Sequence, residues 1–143
     1  MERVAVTGMG IVSPIGNGAG SFWRNLLAGQ CAIAPMPNAS NRTGNALWAA
    51  VPDGFLDGSP LPRTALKHAD RFTQYAIAAA YEALERARLA PPEATAVVIG
   101  NTMGGFPFVA EAQTRFLGDA HNVTPKLMAL VIPNMAAAAI AMH

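Results

Sequence analysis

The stretch "VAVTGMGIVSPIGNG", residues 4–18, decides the fold, because a β-branched run leads directly into four closely spaced glycines. Dinucleotide sites place G-x-G-x-x-G between a strand and a helix, so that the helix N-terminus faces the pyrophosphate. Here Ser13 stands where the third glycine would be, and Pro14 disfavours helical geometry at the preceding residue. The stretch therefore argues against a nucleotide site. It predicts a buried strand over residues 2–9, followed by a glycine-rich connection.

The composition is unusually apolar for a short chain. Of the 143 residues, 52% are hydrophobic and only 13% are charged, whereas an average soluble domain carries about 25% charged residues. A small domain has a large surface relative to its volume. We therefore expect the chain either to oligomerise over a large area or to belong to a larger body.

Charge and cysteine content exclude several classes of protein. The formal net charge of +1 gives no indication of nucleic-acid binding. The single cysteine, Cys31, excludes an internal disulfide, and the histidines lie at no metal-ligand spacing, so no metal site is expected. Residues 1–12 lack the pattern of a signal peptide. The most apolar run, residues 127–142, is shorter than the ~20 residues of a membrane helix. We expect a cytoplasmic protein without a membrane span.

The longest helical pattern follows Asp70, which is a suitable N-cap. The predicted helix covers residues 71–89, and Glu82 and Arg86 form a favourable i,i+4 pair on it. Most of its apolar positions are alanine, and such a face lets another backbone come close. We predict that this face comprises positions 72, 76, 79, 80, 83 and 87.

The remaining segments alternate between helix and strand. We predict a helix over residues 19–28, followed by an irregular insertion over 30–66 that contains one short strand at 46–51. Further along the chain we predict a buried strand over 95–101 and a helix over 107–117 that ends at Gly118. This order predicts an α/β layered fold.

The last residues, "NMAAAAIAMH", have high helix propensity and reach His143 without a cap, a glycine or a polar tail. A helix end leaves about four carbonyl groups without intrahelical partners. We therefore expect this chain to be a fragment of a longer protein.

Five stretches, in both order and spacing, resemble the β-ketoacyl-acyl-carrier-protein synthases, the condensing enzymes of fatty-acid and polyketide synthesis. They are "RVAVTGMGIVSPIGNG", "FWRNLLAGQCAI", "DRFTQYAIAAAYEAL", "IGNTMGG" and "VIPNMAAAAIAMH". The resemblance implies a thiolase-like layered α-β-α-β-α fold. Residues 1–143 would then be the N-terminal part of a synthase domain and most of the first half of that fold. In this family the glycine-rich turn is architectural, and no nucleotide or other cofactor is implied.

The resemblance also implies which catalytic groups lie elsewhere. These enzymes use a cysteine nucleophile at a helix N-terminus and two histidines, and their motifs would all follow His143. We therefore expect no catalytic residue within this chain and no activity from it alone. Cys31 follows a helix C-terminus, where the helix dipole disfavours a thiolate, and we interpret it as an ordinary turn residue.

Two positions acquire candidate roles from the resemblance. Met103 matches the position that lines the fatty-acyl pocket, where a flexible thioether suits a deformable wall; the alternative is plain core packing. The second is a basic cluster that would face the acidic carrier protein, unless it is merely a solvated face. It consists of Arg63, Lys67, His68 and Arg71.

A third candidate surface lies near the C-terminal end of the sequence. Leu127 and Met128 fall where relatives send an apolar loop across the dimer interface, and the alternative is again core packing. The expected partners are thus the acyl carrier protein and a second synthase subunit, in a homodimer or a heterodimer.

Two functions from different classes fit this reading. The chain is either part of a 3-oxoacyl-acyl-carrier-protein synthase or part of a non-catalytic chain-length factor, which shares the fold and stabilises an active partner. The residue at the nucleophile position, beyond His143, would separate them. A dinucleotide-dependent oxidoreductase is disfavoured by Ser13 and Pro14.

Overall fold

The computed structural model describes residues 3–36, 47–56, 66, 69–88, 95–118 and 124–142. Within them the short strands form two antiparallel pairs, β1 with β2 and β3 with β4. In chain order the elements are β1 (Val12–Ser13), β2 (Gly16–Asn17), α1 (Ala19–Leu27), β3 (Ala34–Pro35), β4 (Leu47–Trp48), α2 (Arg71–Ala87), α3 (Phe106–Gly118), α4 (Leu127–Val131) and α5 (Met135–Met142).

Helix α2 is the element around which the others are arranged. It packs against α5, and the core between them contains the buried residues Leu66, Ile77 and Ala139. Leu56 and Ile140 pack against this core and are themselves half-buried. The buried positions of α2 are thus Thr73 and Ile77, which the predicted alanine face did not include. The positions of the predicted alanine face are half-buried on another side of α2, which has a separate partner on each of its sides.

The alanine side of α2 meets the glycine-rich segment. A Cβ atom on Gly8 would lie 1.9 Å from the carbonyl oxygen of Ala83, and one on Gly10 would lie 1.9 Å from that of Ala79. Real Cβ atoms do not approach so closely, so only glycine fits at either position. This confirms that the alanine face admits another backbone, and that these glycines serve packing within the chain.

A tight hairpin joins this segment to α1. Val12 pairs with Asn17 across β1 and β2, and Ser13 Oγ donates a hydrogen bond to the carbonyl oxygen of Gly16 at 2.8 Å. The N–H of Gly18 donates to the carbonyl oxygen of Ile11, also at 2.8 Å. The hairpin therefore turns the chain back and starts α1 at Ala19, as predicted.

The two long strands expected from the sequence are not formed. Residues 3–9 and 96–101 belong to no strand in the part of the chain that the structure describes, and Val4 and Val98, expected to be buried, are 94% and 89% exposed. A strand is completed only by hydrogen bonds to a neighbour, and the described residues offer these two segments no neighbouring strand. The short strand expected at 46–51 is present as β4, paired with β3.

The helices agree closely with prediction, although their ends differ. Asp70 occupies the N-cap position of α2, but its side chain makes no capping hydrogen bond. Helix α2 ends at Ala87, two residues before the predicted end, because Arg88 adopts a left-handed conformation with φ of 52°. In the described parts of the chain, no helix combines the length and apolar character needed to cross a membrane.

Candidate functional site

The turn that carries Met103 is closed by the side chain of Asn101. Asn101 Oδ1 accepts a hydrogen bond from the N–H of Gly104 at 2.7 Å, which is the local turn that asparagine favours. Gly104 has a positive φ of 56°, a conformation that glycine adopts without strain. Met103 lies between these anchors, and 58% of its surface is exposed.

The other side of this turn lies on α4. The N–H of Gly105 donates to the carbonyl oxygen of Val131 at 3.2 Å. A Cβ on Gly104 would lie 2.5 Å from that oxygen, and one on Gly105 would lie 2.7 Å from the carbonyl oxygen of Leu130. The double glycine therefore allows backbone-to-backbone contact. It brings the turn of Met103 together with the helix that contains Leu127 and Met128.

The start of α2 approaches the same turn. A Cβ on Gly105 would also lie 2.8 Å from Oδ2 of Asp70, the residue that precedes α2. Asp70 is followed by Arg71, which was predicted to contact the carrier protein. The turn of Met103, helix α4 and the start of α2 thus occupy one neighbourhood of the fold.

A cleft of about 540 Å³ opens beside the turn, between α2, residues 99–102 and α5. Its walls are apolar or uncharged, and Tyr75 is the titratable residue among them. Such uncharged walls can hold an apolar chain. Thr102 lines the cleft, and Met103 is the next residue along the turn. The lining residues are Phe72, Tyr75, Ala76, Ile99, Gly100, Asn101, Thr102 and Ala136.

Arg71 lies next to Phe72 of the cleft wall, and its side chain is hydrogen-bonded to other residues of the chain. Its guanidinium donates hydrogen bonds to Tyr75 Oη at 2.6 Å, to Asp53 Oδ1 at 2.9 Å and to the carbonyl oxygen of Val51 at 3.1 Å. It also lies over the rings of Phe55 and Tyr75, 5.9 Å and 5.7 Å from their centroids. The hydrogen bonds to Tyr75 and Asp53 raise the pKa of Arg71. The side chain remains 50% exposed, so its charge is accessible.

The other predicted docking residues, Arg63, Lys67 and His68, lie outside the described residues. In α4, Leu127 is half-buried and Met128 is 64% exposed. Cys31 is exposed and unbonded to another cysteine. Among the described residues, no three acidic, histidine or cysteine side chains are grouped to hold a metal ion.

Two residues of structural importance escaped the sequence prediction. Asn101 could have been found, because asparagine three residues before a glycine is a frequent turn signal. Glu82 was predicted to pair only with Arg86, and that pair is present at 2.9 Å. Its carboxylate also accepts hydrogen bonds from the N–H groups of Ile11 and Ala19. No local pattern could have indicated those distant partners.

The chain matches the family model described as "Beta-ketoacyl synthase, N-terminal domain" over residues 1–143. It is 34% identical to 3-oxoacyl-[acyl-carrier-protein] synthase 2 of Staphylococcus aureus strain COL, over 94% of this chain and 34% of the relative. It is 33% identical to the protein of the same name from Vibrio cholerae, over 95% of this chain and 34% of the relative. The chain thus spans about a third of the length of these curated relatives.

Solved structures show the same relationship. A β-ketoacyl synthase from Burkholderia phymatum superposes with a TM-score of 0.74 at 26% identity, over 99% of this chain and 36% of that one. The ishigamide ketosynthase/chain length factor superposes with a TM-score of 0.75 at 28% identity, over 96% and 36%. This similarity confirms the α/β thiolase-like fold predicted from the sequence. With a family model that matches its whole length, the chain belongs to the β-ketoacyl synthase family.

Proposed function

We propose that this chain is the N-terminal part of a 3-oxoacyl-acyl-carrier-protein synthase. The observation that carries the proposal is the match to 3-oxoacyl-[acyl-carrier-protein] synthase 2 at 34% identity along nearly the whole chain. Such an enzyme joins an acyl thioester to malonyl-carrier protein, with loss of carbon dioxide, in fatty-acid or polyketide synthesis. The cysteine and the two histidines that carry out this chemistry lie outside residues 1–143.

Within such an enzyme, the proposed role of this chain is to bind the acyl group. The apolar cleft between α2 and α5 has uncharged walls, as a hydrocarbon chain requires. Met103 lies on the turn that borders it, and its flexible side chain would close the pocket behind the end of the acyl chain. The cleft and the turn thus form the wall of the acyl pocket.

Two surfaces are proposed for partners. Arg71 presents a half-exposed guanidinium and, with Arg63, Lys67 and His68, would receive the acidic carrier protein. Leu127 and Met128 would contact the second subunit of a dimer, since Met128 exposes a large apolar side chain. The proposed setting is the cytoplasm.

A second function is favoured by one observation, the likeness to the ishigamide ketosynthase/chain length factor at 28% identity. A chain-length factor would carry the same fold and cleft without the cysteine. It would act only in a heterodimer with an active ketosynthase.

One purification separates the two functions. The intact protein that contains this chain is assayed alone, with acyl-carrier and malonyl-carrier substrates, for carbon dioxide release and 3-oxoacyl product. A synthase forms product as a homodimer. A chain-length factor forms none alone and gives product only when it is co-expressed and co-purified with a ketosynthase. A folded protein that forms no product under either condition would refute both functions.

A further inference from the structure

The turn over residues 101–105 is held by two contacts, which differ in kind. One joins the turn to α4 through backbone atoms, with the N–H of Gly105 donating to the carbonyl oxygen of Val131. The other lies within the turn and uses a side chain, since Asn101 Oδ1 accepts a hydrogen bond from the N–H of Gly104 at 2.7 Å. A substitution can remove the second anchor without touching the first.

Met103 depends on the side-chain anchor for its position. The bond from Asn101 to Gly104 closes a ring of backbone that contains Thr102 and Met103. Two successive glycines follow, and Gly104 already has a positive φ, so the backbone here has more freedom than other residues would allow. Without the Asn101 acceptor, the turn can open and Met103 can move relative to the cleft.

Asn101 also touches the space that the turn borders. It lines the cleft together with Ile99 and Thr102. Asn101 is exposed and is not one of the residues of the core around Ile77. A change at Asn101 should therefore alter the shape of the cleft wall more than the stability of the fold.

The geometry points to Asn101 as a positioning residue that sets the acyl-chain-length selectivity of the cleft by fixing the turn of Met103. The inference rests on the proposed function, since it assumes that the cleft receives an acyl chain. Asn101 does not touch the reacting atoms. It determines how far Met103 projects toward the end of the cleft and hence which chain lengths fit without strain.

The test compares Asn101→Ala with Asn101→Asp in the intact synthase. Alanine removes the acceptor, whereas aspartate keeps an oxygen where Gly104 needs one. For each variant, kcat and KM are measured over a series of acyl-carrier primers of increasing length. Hydrogen exchange of the peptide over residues 100–106 and the melting temperature are recorded beside them.

We expect Asn101→Ala to reduce the wild-type preference between long and short primers at least fivefold, mainly through KM, at a nearly unchanged melting temperature. Exchange at residues 100–106 should be several-fold faster. Asn101→Asp should retain the slow exchange of the wild type, because its carboxylate keeps an acceptor for the N–H of Gly104.

Three outcomes would overturn the inference. An Asn101→Ala profile identical to the wild type would do so, and so would an Asn101→Asp variant in which exchange at residues 100–106 is as fast as in Asn101→Ala. A uniform loss of kcat/KM at every chain length, with a lowered melting temperature, would assign Asn101 a merely structural role. If the wild-type protein has no condensing activity, the proposed function and the selectivity role of Asn101 are refuted together. If the wild type is active and the variants give one of these three outcomes, only the role of Asn101 is refuted.

Discussion

The carboxylate of Glu82 accepts a hydrogen bond from the N–H of Ile11 at 2.9 Å, across 71 positions of the sequence. Its other oxygen accepts from the N–H of Ala19, the first residue of α1, at 2.8 Å. One side chain of α2 thereby holds both ends of the β1–β2 hairpin. It also supplies an acceptor to an N–H group that α1 itself leaves unpaired.

Glu82→Gln should destabilise the intact protein by about 1–3 kcal/mol, because an amide side chain has one acceptor oxygen for two backbone N–H groups. Urea denaturation at pH 7 measures the loss. Arg86→Met is the control, since it removes the half-exposed ion pair and leaves both backbone bonds, and it should cost less than about 1 kcal/mol. If the two variants lose equal free energy of unfolding, the ion pair with Arg86, and not the contact of Glu82 with the hairpin, stabilises the protein.

The same contact should depend on pH. Partial burial tends to raise the pKa of Glu82, but the hydrogen bonds from Ile11 and Ala19 and the charge of Arg86 outweigh it and lower the pKa below its ordinary value of 4.5. A group with a lowered pKa in the folded state stabilises fully above its unfolded pKa, and the contribution is lost as the pH falls through the folded pKa. The stability difference between wild type and Glu82→Gln should therefore shrink below pH 4.5. A difference that stays constant down to pH 3 would contradict this.

Gly10→Ala should be strongly destabilising, because its Cβ would lie 1.9 Å from the backbone oxygen of Ala79. Overpacking of this kind costs about 1–3 kcal/mol or more. Gly20→Ala, in α1, is the matched control: its Cβ would meet only the end of the Arg86 side chain at 3.7 Å. Helix propensity should make that variant more stable by about 0.5–1 kcal/mol. Thermal melts of the two variants should thus shift in opposite directions.

Most of the helices could be predicted from the sequence, whereas the two long strands could not, although the short strand β4 was predicted. Helix α1 begins at Ala19 as predicted, and α2 follows Asp70, because helical hydrogen bonds join residues close in sequence. A buried strand was predicted over residues 2–9 from their β-branched run alone, yet a strand needs a neighbour that no local pattern supplies.

The local contacts of the site were predictable from the sequence, and its long-range contacts were not. The turn over residues 101–105 was located from its glycines, and its closure by Asn101 has a recognisable signal. The bond of Arg71 to Asp53 was not predictable, because Asp53 lies 18 positions away in an irregular segment. A carboxylate that binds distant backbone N–H groups, as Glu82 does, leaves no periodicity in the sequence.

Residues 1–143 alone should show no condensing activity, because the resemblance to the family implies that its cysteine and histidines are not among them. The assay is carbon dioxide release from malonyl-carrier protein by the purified chain. Cys31 is exposed and follows the end of α1, where no helix N-terminus activates a thiol. Release above background that disappears in Cys31→Ser would overturn the expectation.

The intact synthase should be a dimer, since low charge and the exposed Met128 indicate a large apolar interface. Permanent interfaces commonly bury more than ~2,000 Å². Met128→Glu should weaken the dimer in sedimentation at micromolar concentration, whereas Gln113→Glu adds the same charge on the exposed side of α3 and should leave it intact. A wild-type monomer would contradict the interface.

Met103→Phe in the intact synthase should shorten the longest acyl chain accepted while sparing short primers. Met103 lies on the turn that borders the cleft, where a thioether can move aside and a rigid ring cannot. Losing room for two methylenes costs about 1.6 kcal/mol at ~0.8 kcal/mol each, a preference of more than tenfold. The measurement is kcat/KM over a series of chain lengths, with the melting temperature recorded for each variant.

Plain packing predicts a different result for the same substitution. If Met103 only fills space, the larger ring should lower stability by about 1–3 kcal/mol and reduce activity equally for all chain lengths. Met103→Leu, which is close in volume, serves as the control and should retain the wild-type chain-length profile under either reading. A length-dependent loss at an unchanged melting temperature therefore identifies the pocket wall, because overpacking has no means of distinguishing a long primer from a short one.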